Sequence, residues 1–400
     1  MQNRALMGVC VLLAALCRAD AAFADQAPAA RGDAFAFKLL KQLAKDQPHA
    51  NLSISPYSAA TILQMVENGA AGTTRTEMRK VLGTAGLSSA AVNAANKDTA
   101  QSLKSENPHA MLTIANALWY RPGTPVASAF ITCNREFYGA TVEALDFGDP
   151  HAPDIINSWV SAQTQGKIQR IADGMIDPAH TRLFLADAIY FKGKWASPFA
   201  ASDTRARPFH LRGGGQKMIP MMALKKTLDY RKAQGYQAVR LPYEGENLVM
   251  YVVLPDDNSS PENTLRILSG DTWRGVARAG FSSREGSIVL PKFKIEYSVE
   301  LRRPLQSLGM NAAFDASTAD FSGIAPGLFI SAARQKTFVE VNEEGTEAAA
   351  VSAVGVALTS LKPASKPFQM IVDRPFLLLI EDRQNEAILF MGMVFDPPTT

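Results

Sequence analysis

The residues able to do covalent chemistry are scattered. The five histidines, His49, His109, His151, His180 and His210, form no His-Glu-x-x-His metal pair, and no serine sits in a Gly-x-Ser-x-Gly turn. Gly213-Gly214-Gly215 lacks the lysine and hydroxyl residue of a phosphate loop and reads as a turn in a polar stretch. Of the three cysteines only Cys133 lies beyond the first seventeen residues, in a run from Phe130 to Tyr138 that reads as buried structure rather than as a nucleophile's site. No nucleophile with its helpers is found, so the chain is not expected to be an enzyme. What stands out instead is a long run from Glu343 to Pro363, almost free of large side chains.

That run reads Glu343-Glu344-Gly345-Thr346-Glu347-Ala348-Ala349-Ala350-Val351-Ser352-Ala353-Val354-Gly355-Val356-Ala357-Leu358-Thr359-Ser360-Leu361-Lys362-Pro363. It carries no amphipathic stripe for a helix. Read with period two, one face is Thr346, Ala348, Ala350, Ser352, Val354 and Val356, all small or β-branched and uncharged, with Glu347 on the other face. A strand of that kind could enter the middle of a sheet without a large hole being made for it. By pattern alone the run also fits a surface loop or a short buried helix.

The elements that would hold such a segment follow from the rest of the chain. Asp33 is placed to cap a helix with Phe37, Leu40, Leu43 and Ala44 at helical spacing. Ser55-Pro56 reads as an N-cap and first helical proline opening a helix that Gly69 closes, and Thr74 to Glu77 reads as a capping box. From Leu112 on, strands join in. Leu112, Ile114 and Leu118 share a face, Leu248 to Leu254 is a continuous apolar run, and Phe293, Ile295 and Tyr297 alternate with Lys294 and Glu296. A final hairpin is expected from Phe376 to Ile380 and Ala387 to Val394 around Glu381 to Asn385.

The N-terminus carries Arg4, an apolar run from Ala5 to Leu16, and Ala22-Phe23-Ala24 before Asp25, the order of a secretory leader cleaved near Ala24. The apolar run is shorter than the roughly 20 residues of a spanning helix, and Leu16 is large for a lipid anchor on Cys17. The expectation is a signal peptide over 1–24 and one domain over 25–400, secreted or periplasmic, without membrane attachment. Loss of Cys10 and Cys17 with the leader leaves Cys133 unable to form an intramolecular disulfide. With 47% hydrophobic and 20% charged residues the chain can build a large core, and a net charge of +3 with no basic stripe argues against nucleic acid.

Val341-Asn342-Glu343-Glu344-Gly345-Thr346-Glu347-Ala348-Ala349-Ala350 resembles the hinge of the reactive-centre loop in inhibitory serpins. Asn51 to Ser58, Ala71 to Thr74, Thr164 to Ile168, Phe191 to Trp195, Leu290 to Phe293 and Asp373 to Phe376 resemble further serpin landmarks in serpin order, covering the chain from about Asp33 to Pro397. The resemblance implies an α+β fold of many helices and three β-sheets, with a large central sheet and an exposed reactive-centre loop over about 343–363. It implies a suicide inhibitor: a serine protease, or alternatively a cysteine protease, cuts the loop and is held as a covalent acyl complex while the hinge side inserts as a strand.

The family's counting places the cleaved bond at Thr359-Ser360, with Leu358 or Lys362 as alternative residues read by the protease. Val356 to Thr359 suggest an elastase-, chymotrypsin- or subtilisin-like target. The hinge is Glu344, Gly345, Thr346, Glu347, Ala348, Ala349 and Ala350. Ser55, Ser58, Asp187, Trp195, Gln335 and Lys336 match the region where the sheet opens, although Asp187 stands where the family usually has Asn and Gln335 where His is frequent. This cluster is expected to tune how easily the sheet parts. No cofactor is implied, the protein is expected to be a monomer, and the competing reading on the same fold is a non-inhibitory carrier or chaperone.

Overall fold

The computed structural model describes residues 28–105, 110–278, 280–345 and 366–398. The expected leader over 1–24 lies outside the described residues, as do hinge residues Thr346 to Ala350 and the candidate bond residues Leu358, Thr359, Ser360 and Lys362. In chain order the elements are α1 (Pro28–Asp46), β1 (Leu52–Ile54), α2 (Pro56–Glu67), α3 (Gly72–Leu82), α4 (Ser89–Ser105), β2 (Ala110–Tyr120), α5 (Ser128–Tyr138), β3 (Thr141–Ala144), α6 (Ala152–Gln163), β4 (Leu183–Gly193), β5 (Arg205–His210), β6 (Gln216–Ala233), β7 (Tyr236–Pro242) and β8 (Leu248–Pro255). They continue with α7 (Pro261–Ile267), α8 (Gly270–Arg278), β9 (Ser282–Pro291), β10 (Phe293–Glu300), α9 (Arg302–Ser307), β11 (Ile330–Val341), β12 (Phe368–Ile371), β13 (Phe376–Asp382) and β14 (Ala387–Val394).

One helix start lies where the sequence puts it. Ser55 caps α2, its hydroxyl accepting the Ser58 N–H at 3.2 Å, and Pro56 follows at the first helical position. Gly69 lies just past the end of α2, where a Cβ would collide with the Ile324 side chain. Two expected caps are not caps. Helix α1 begins at Pro28, so Asp33 lies inside it, buried, and pairs with Arg274 of α8 at 3.1 Å. The box at Thr74–Glu77 is not formed because both side chains serve a distant segment. Thr74 Oγ1 accepts the Asp320 N–H at 2.9 Å, and Glu77 Oε2 accepts the Asn311 and Ala312 N–H groups at 2.7 and 2.8 Å. Helix α3 starts two residues earlier, at Gly72.

The smaller sheet has the order β10-β11-β4-β2-β3. Its β10/β11 and β2/β4 pairs are antiparallel, whereas β11/β4 and β2/β3 are parallel. Both faces are covered. Leu183, Leu185, Ile189 and Phe191 of β4 enter the main core, and Phe184, Ala186, Ala188 and Tyr190 enter a second cluster with Ile156 and Val160 of α6. A strand buried on both sides reads as a nearly unbroken apolar run, which β4 is.

The larger sheet has nine strands, in the order β1-β14-β13-β8-β7-β6-β9-β12 with β5 pairing β6. The three sheets expected above are thus joined into two by hydrogen bonding among the described residues. Strand β6 is long enough to pair β7 through Tyr230–Ala233 while its remainder pairs β9 and β5, so two portions share one strand. The turn between β5 and β6 holds Gly213, Gly214 and Gly215, all at positive φ. The C-terminal hairpin forms as expected from β13 and β14.

Glu381 of β13 is buried, with one carboxyl oxygen lacking a partner. Burial, reinforced by the nearby Asp33 carboxylate, pushes it up to about 7. The folded state then holds this proton more tightly than the unfolded chain. The contribution to stability is complete below the ordinary carboxylate range and is lost as pH rises through 7, by up to roughly 3 kcal/mol. In chemical denaturation at pH 5 and pH 8 the Glu381→Gln variant is expected to lose less stability than the wild type. An equal loss in both would show that Glu381 is ionised at both pH values.

Candidate functional site

A chain leaving the C-terminal end of β11 emerges beside the C-terminal end of β4, because the two strands are parallel neighbours. Just there it reverses. The Asn342 N–H donates to the Gly345 carbonyl at 3.0 Å, and Asn342 Oδ1 accepts the Glu344 and Gly345 N–H groups at 3.1 and 3.2 Å. The reversed chain is stitched to the segment after β4. The Trp195 N–H donates to the Glu344 carbonyl at 3.0 Å, and the Phe199 N–H to the Glu343 carbonyl at 2.8 Å. Gly345 forms antiparallel bridges to both Asn342 and Lys194, and therefore occupies the first rung of a position between the two strands. Its φ is 138°, and a Cβ there would run into the Gly193 carbonyl oxygen and Lys194 Cα, so glycine is required.

A segment continuing from Gly345 between β11 and β4 would be antiparallel to both. It would replace one slanted parallel ladder by two antiparallel ladders, the better pairing per residue. Two features hold the root of this segment. The buried Trp195 indole donates to the Asn342 carbonyl at 3.0 Å and stacks on Tyr243 with ring centroids 4.5 Å apart. The Glu343 carboxylate receives Lys292 Nζ at 2.9 Å and the Thr204 hydroxyl at 2.8 Å. Trp195, Glu344 and Gly345 are thus assembled at one place, whereas Trp195 takes no part in the hydrogen bonds among Ser55, Ser58, Asp187 and Gln335 with which it was grouped. The Glu343–Lys292 pair is not legible locally, because the two residues lie far apart in the chain.

Further down the same strand pair lies a buried polar cluster. Asp187 of β4 is fully buried and stands in register with Gln335 of β11. Its carboxyl accepts the Ser58 hydroxyl on one oxygen and Gln335 Nε2, at 2.6 Å, on the other. Gln335 also clamps the Ser55 backbone, donating to its carbonyl at 2.8 Å and accepting its N–H at 2.9 Å. Burial pushes Asp187 up to about 7, the bonds from Ser58 and Gln335 opposing it only in part.

Ser55, Ser58, Asp187 and Gln335 therefore meet. Lys336 does not join them: one residue along β11, it faces the other side of the sheet, donating to the Arg170 carbonyl at 2.8 Å and pairing with Glu296. Two neighbours were not foreseen. Thr337 donates to the Ser53 carbonyl at 2.8 Å, and Asn116 of β2 stands directly opposite Asp187 with its buried Oδ1 unpartnered. Cys133 lies on α5, half-buried, its sulfur accepting Asn93 Nδ2 at 3.3 Å, and burial raises its pKa, which keeps the thiol un-ionised.

The family model described as Serpin (serine protease inhibitor) matches residues 30–397. The chain is 36% identical to an uncharacterized serpin-like protein of Thermococcus kodakarensis, covering 91% of this chain and 84% of that one. It is 35% identical to the leukocyte elastase inhibitor of Bos taurus, covering 91% and 97%. Among solved structures, native protease nexin-1 with heparin superposes with a TM-score of 0.83 at 30% identity, covering 92% of this chain and 99% of that one. Thyroxine-binding globulin complexed with thyroxine superposes with a TM-score of 0.82 at 28% identity, covering 92% and 99%.

The turn geometry predicts that Gly345→Ala strains the loop root. Steric conflict and the unfavourable φ together should lower the thermal midpoint by about 1–4 °C, corresponding to about 1–3 kcal/mol for a domain of this size. A midpoint equal to that of the wild type in calorimetry would show that the bridge to Lys194 does not hold the chain here.

Proposed function

Because the chain belongs to the serpin family, we propose that it is a secreted or periplasmic, monomeric inhibitor of serine proteases, folded as one domain after Asp25, that traps its target by loop cleavage and strand insertion. The observation that carries this reading is Gly345, turned back and bridged to both sides of a parallel strand pair at the start of a run whose inward face is Thr346, Ala348, Ala350, Ser352, Val354 and Val356. No charge or proline interrupts that face.

The protease's nucleophilic oxygen attacks the carbonyl carbon of Thr359 (Leu358 and Lys362 being the alternatives). The peptide bond breaks, the amine of Ser360 leaves with a proton, and an ester joins Thr359 to the enzyme. Water would normally hydrolyse that ester. Here the freed hinge side enters between β11 and β4 first, carrying the protease with it. About twelve new residues of ladder at roughly 1 kcal/mol each, with some apolar burial, supply on the order of ten kcal/mol to deform the captured enzyme. The uncut state is kinetically trapped. The small and apolar residues Val356 to Thr359 suit an elastase-, chymotrypsin- or subtilisin-like pocket, and a relative named for elastase inhibition supports that choice. The similarity to a thyroxine-binding protein supports a second reading, a carrier on the same fold.

One assay separates the two. Incubation with elastase, chymotrypsin, subtilisin and trypsin should give an adduct that survives denaturing electrophoresis, with a released C-terminal peptide whose mass identifies the bond. Nicked protein should also melt well above intact protein. Replacing Ala350 by proline removes a ladder N–H on the inward face, and should convert the inhibitor into a substrate that is cleaved without adduct. Cleavage without adduct in the wild type, and no rise in melting temperature on nicking, would favour the carrier.

A further inference from the structure

Register places Asn116 of β2, Asp187 of β4 and Gln335 of β11 side by side on the sheet face turned toward α2. We propose that this row is a proton-sensitive clasp: with Asp187 as a neutral carboxylic acid the β4–β11 contact stays shut, and ionisation of Asp187 speeds the entry of a strand between them. The inference rests on the reading above, that the sheet admits the segment after Gly345.

The hydrogen-bond inventory fits the neutral acid better than the carboxylate. A carboxylate only accepts, and at zero exposure it would have the neutral donors Ser58 and Gln335 and no cation. A carboxylic acid has one O–H to give, and the unpartnered Oδ1 of Asn116 stands opposite it. Among the described residues no charged group contributes to the shift at Asp187. Helix α2 presents Ser58 and, beside it, Tyr57, which burial keeps un-ionised. Strand β1 and its exit contribute Ser53 and Ser55, and β11 contributes Gln335 and Thr337. Lys336 of β11 is on the opposite face, toward Arg170 and Glu296. Lys104 of α4 and Tyr138 of α5 line a recess together with Asn116.

Strand entry changes this environment directly. Asp187 and Gln335 are register partners, and one strand between them would put them two strand spacings apart, roughly 9–10 Å. The carboxyl loses its Gln335 donor, and water reaches it while the sheet is parted. The closed sheet, in which burial holds Asp187 at about 7, binds the proton more tightly than the parted sheet, in which a carboxyl returns toward its ordinary range. Opening therefore releases a proton. Acid favours the shut sheet, and the opening rate rises with pH until the closed-state acid is itself ionised.

The test measures strand entry without a protease. Intact protein is incubated between pH 5.5 and 8.5 with a fluorescein-labelled peptide of the sequence of residues 346–357, and its incorporation is followed on native gels. The wild-type rate should rise by about tenfold or more and level off near pH 7. Asp187→Asn should be flat, at the slow acid-side rate. Glu381→Gln, which removes the other carboxyl titrating in this window but lies in the larger sheet, should keep the wild-type profile. Ser58→Ala deletes a donor to the carboxylate and should move the break to higher pH, which serves as the test if Asp187→Asn does not fold. A flat wild-type profile, or a slope kept by Asp187→Asn, overturns the clasp while leaving the inhibitor reading intact. Incorporation at no pH overturns the strand-admission reading beneath it.

Discussion

Strands β4 and β11 run parallel as neighbours, and the chain leaving β11 turns back at Gly345 against the exit of β4. Everything distinctive about the molecule depends on that pairing. Parallel strands exchange slanted hydrogen bonds and leave room for improvement by an antiparallel strand between them. The chain that could supply it is tethered at the mouth of the gap by the Asn342 turn, the Trp195 indole and the Glu343–Lys292 pair.

The covering of this sheet is not uniform along the β4–β11 seam. At one rung between β4 and β11 the side chains on the α2 face are polar, Asp187 and Gln335, with Ser55 and Ser58 bonded across them. Further along the same two strands this face carries Leu185, Ile189 and Val339, packed into the main core. Hydrogen bonds are directional and can be exchanged one at a time for water or for a new backbone, whereas interlocked apolar side chains separate only by opening a cavity. The polar cluster is therefore the part of this seam whose bonds can be exchanged one at a time.

The same logic explains why a carboxyl in that line matters. An amide there would hold its bonds at every pH. A carboxyl with no cation beside it changes its bonding capacity with one proton, from donor and acceptor to acceptor alone. Glu381 is a second buried acid, but it sits within the β13 pairings to β8 and β14, where nothing is expected to move, so its proton bears on overall stability rather than on the gate.

What the sequence alone determined is what rests on local pattern. The small, alternating run after Gly345, the Ser55 cap with Pro56, the alternation of Phe293 to Tyr297 and the terminal hairpin are set by periods and propensities within a few residues, and the fold class followed from them together with the resemblance carried by the hinge. What only the tertiary structure decided is which distant residues share a rung. Thr74 and Glu77 look like a cap and instead bond residues near 311 and 320; Asp33 looks like a cap and instead pairs with Arg274. Asn116 opposite Asp187, Glu343 on Lys292, and Lys336 on the far face from Gln335 all follow from strand register. Register is set by the summed packing of whole strands against helices, and a shift of one residue would turn every one of these side chains to the other face. No local stretch of sequence contains that information.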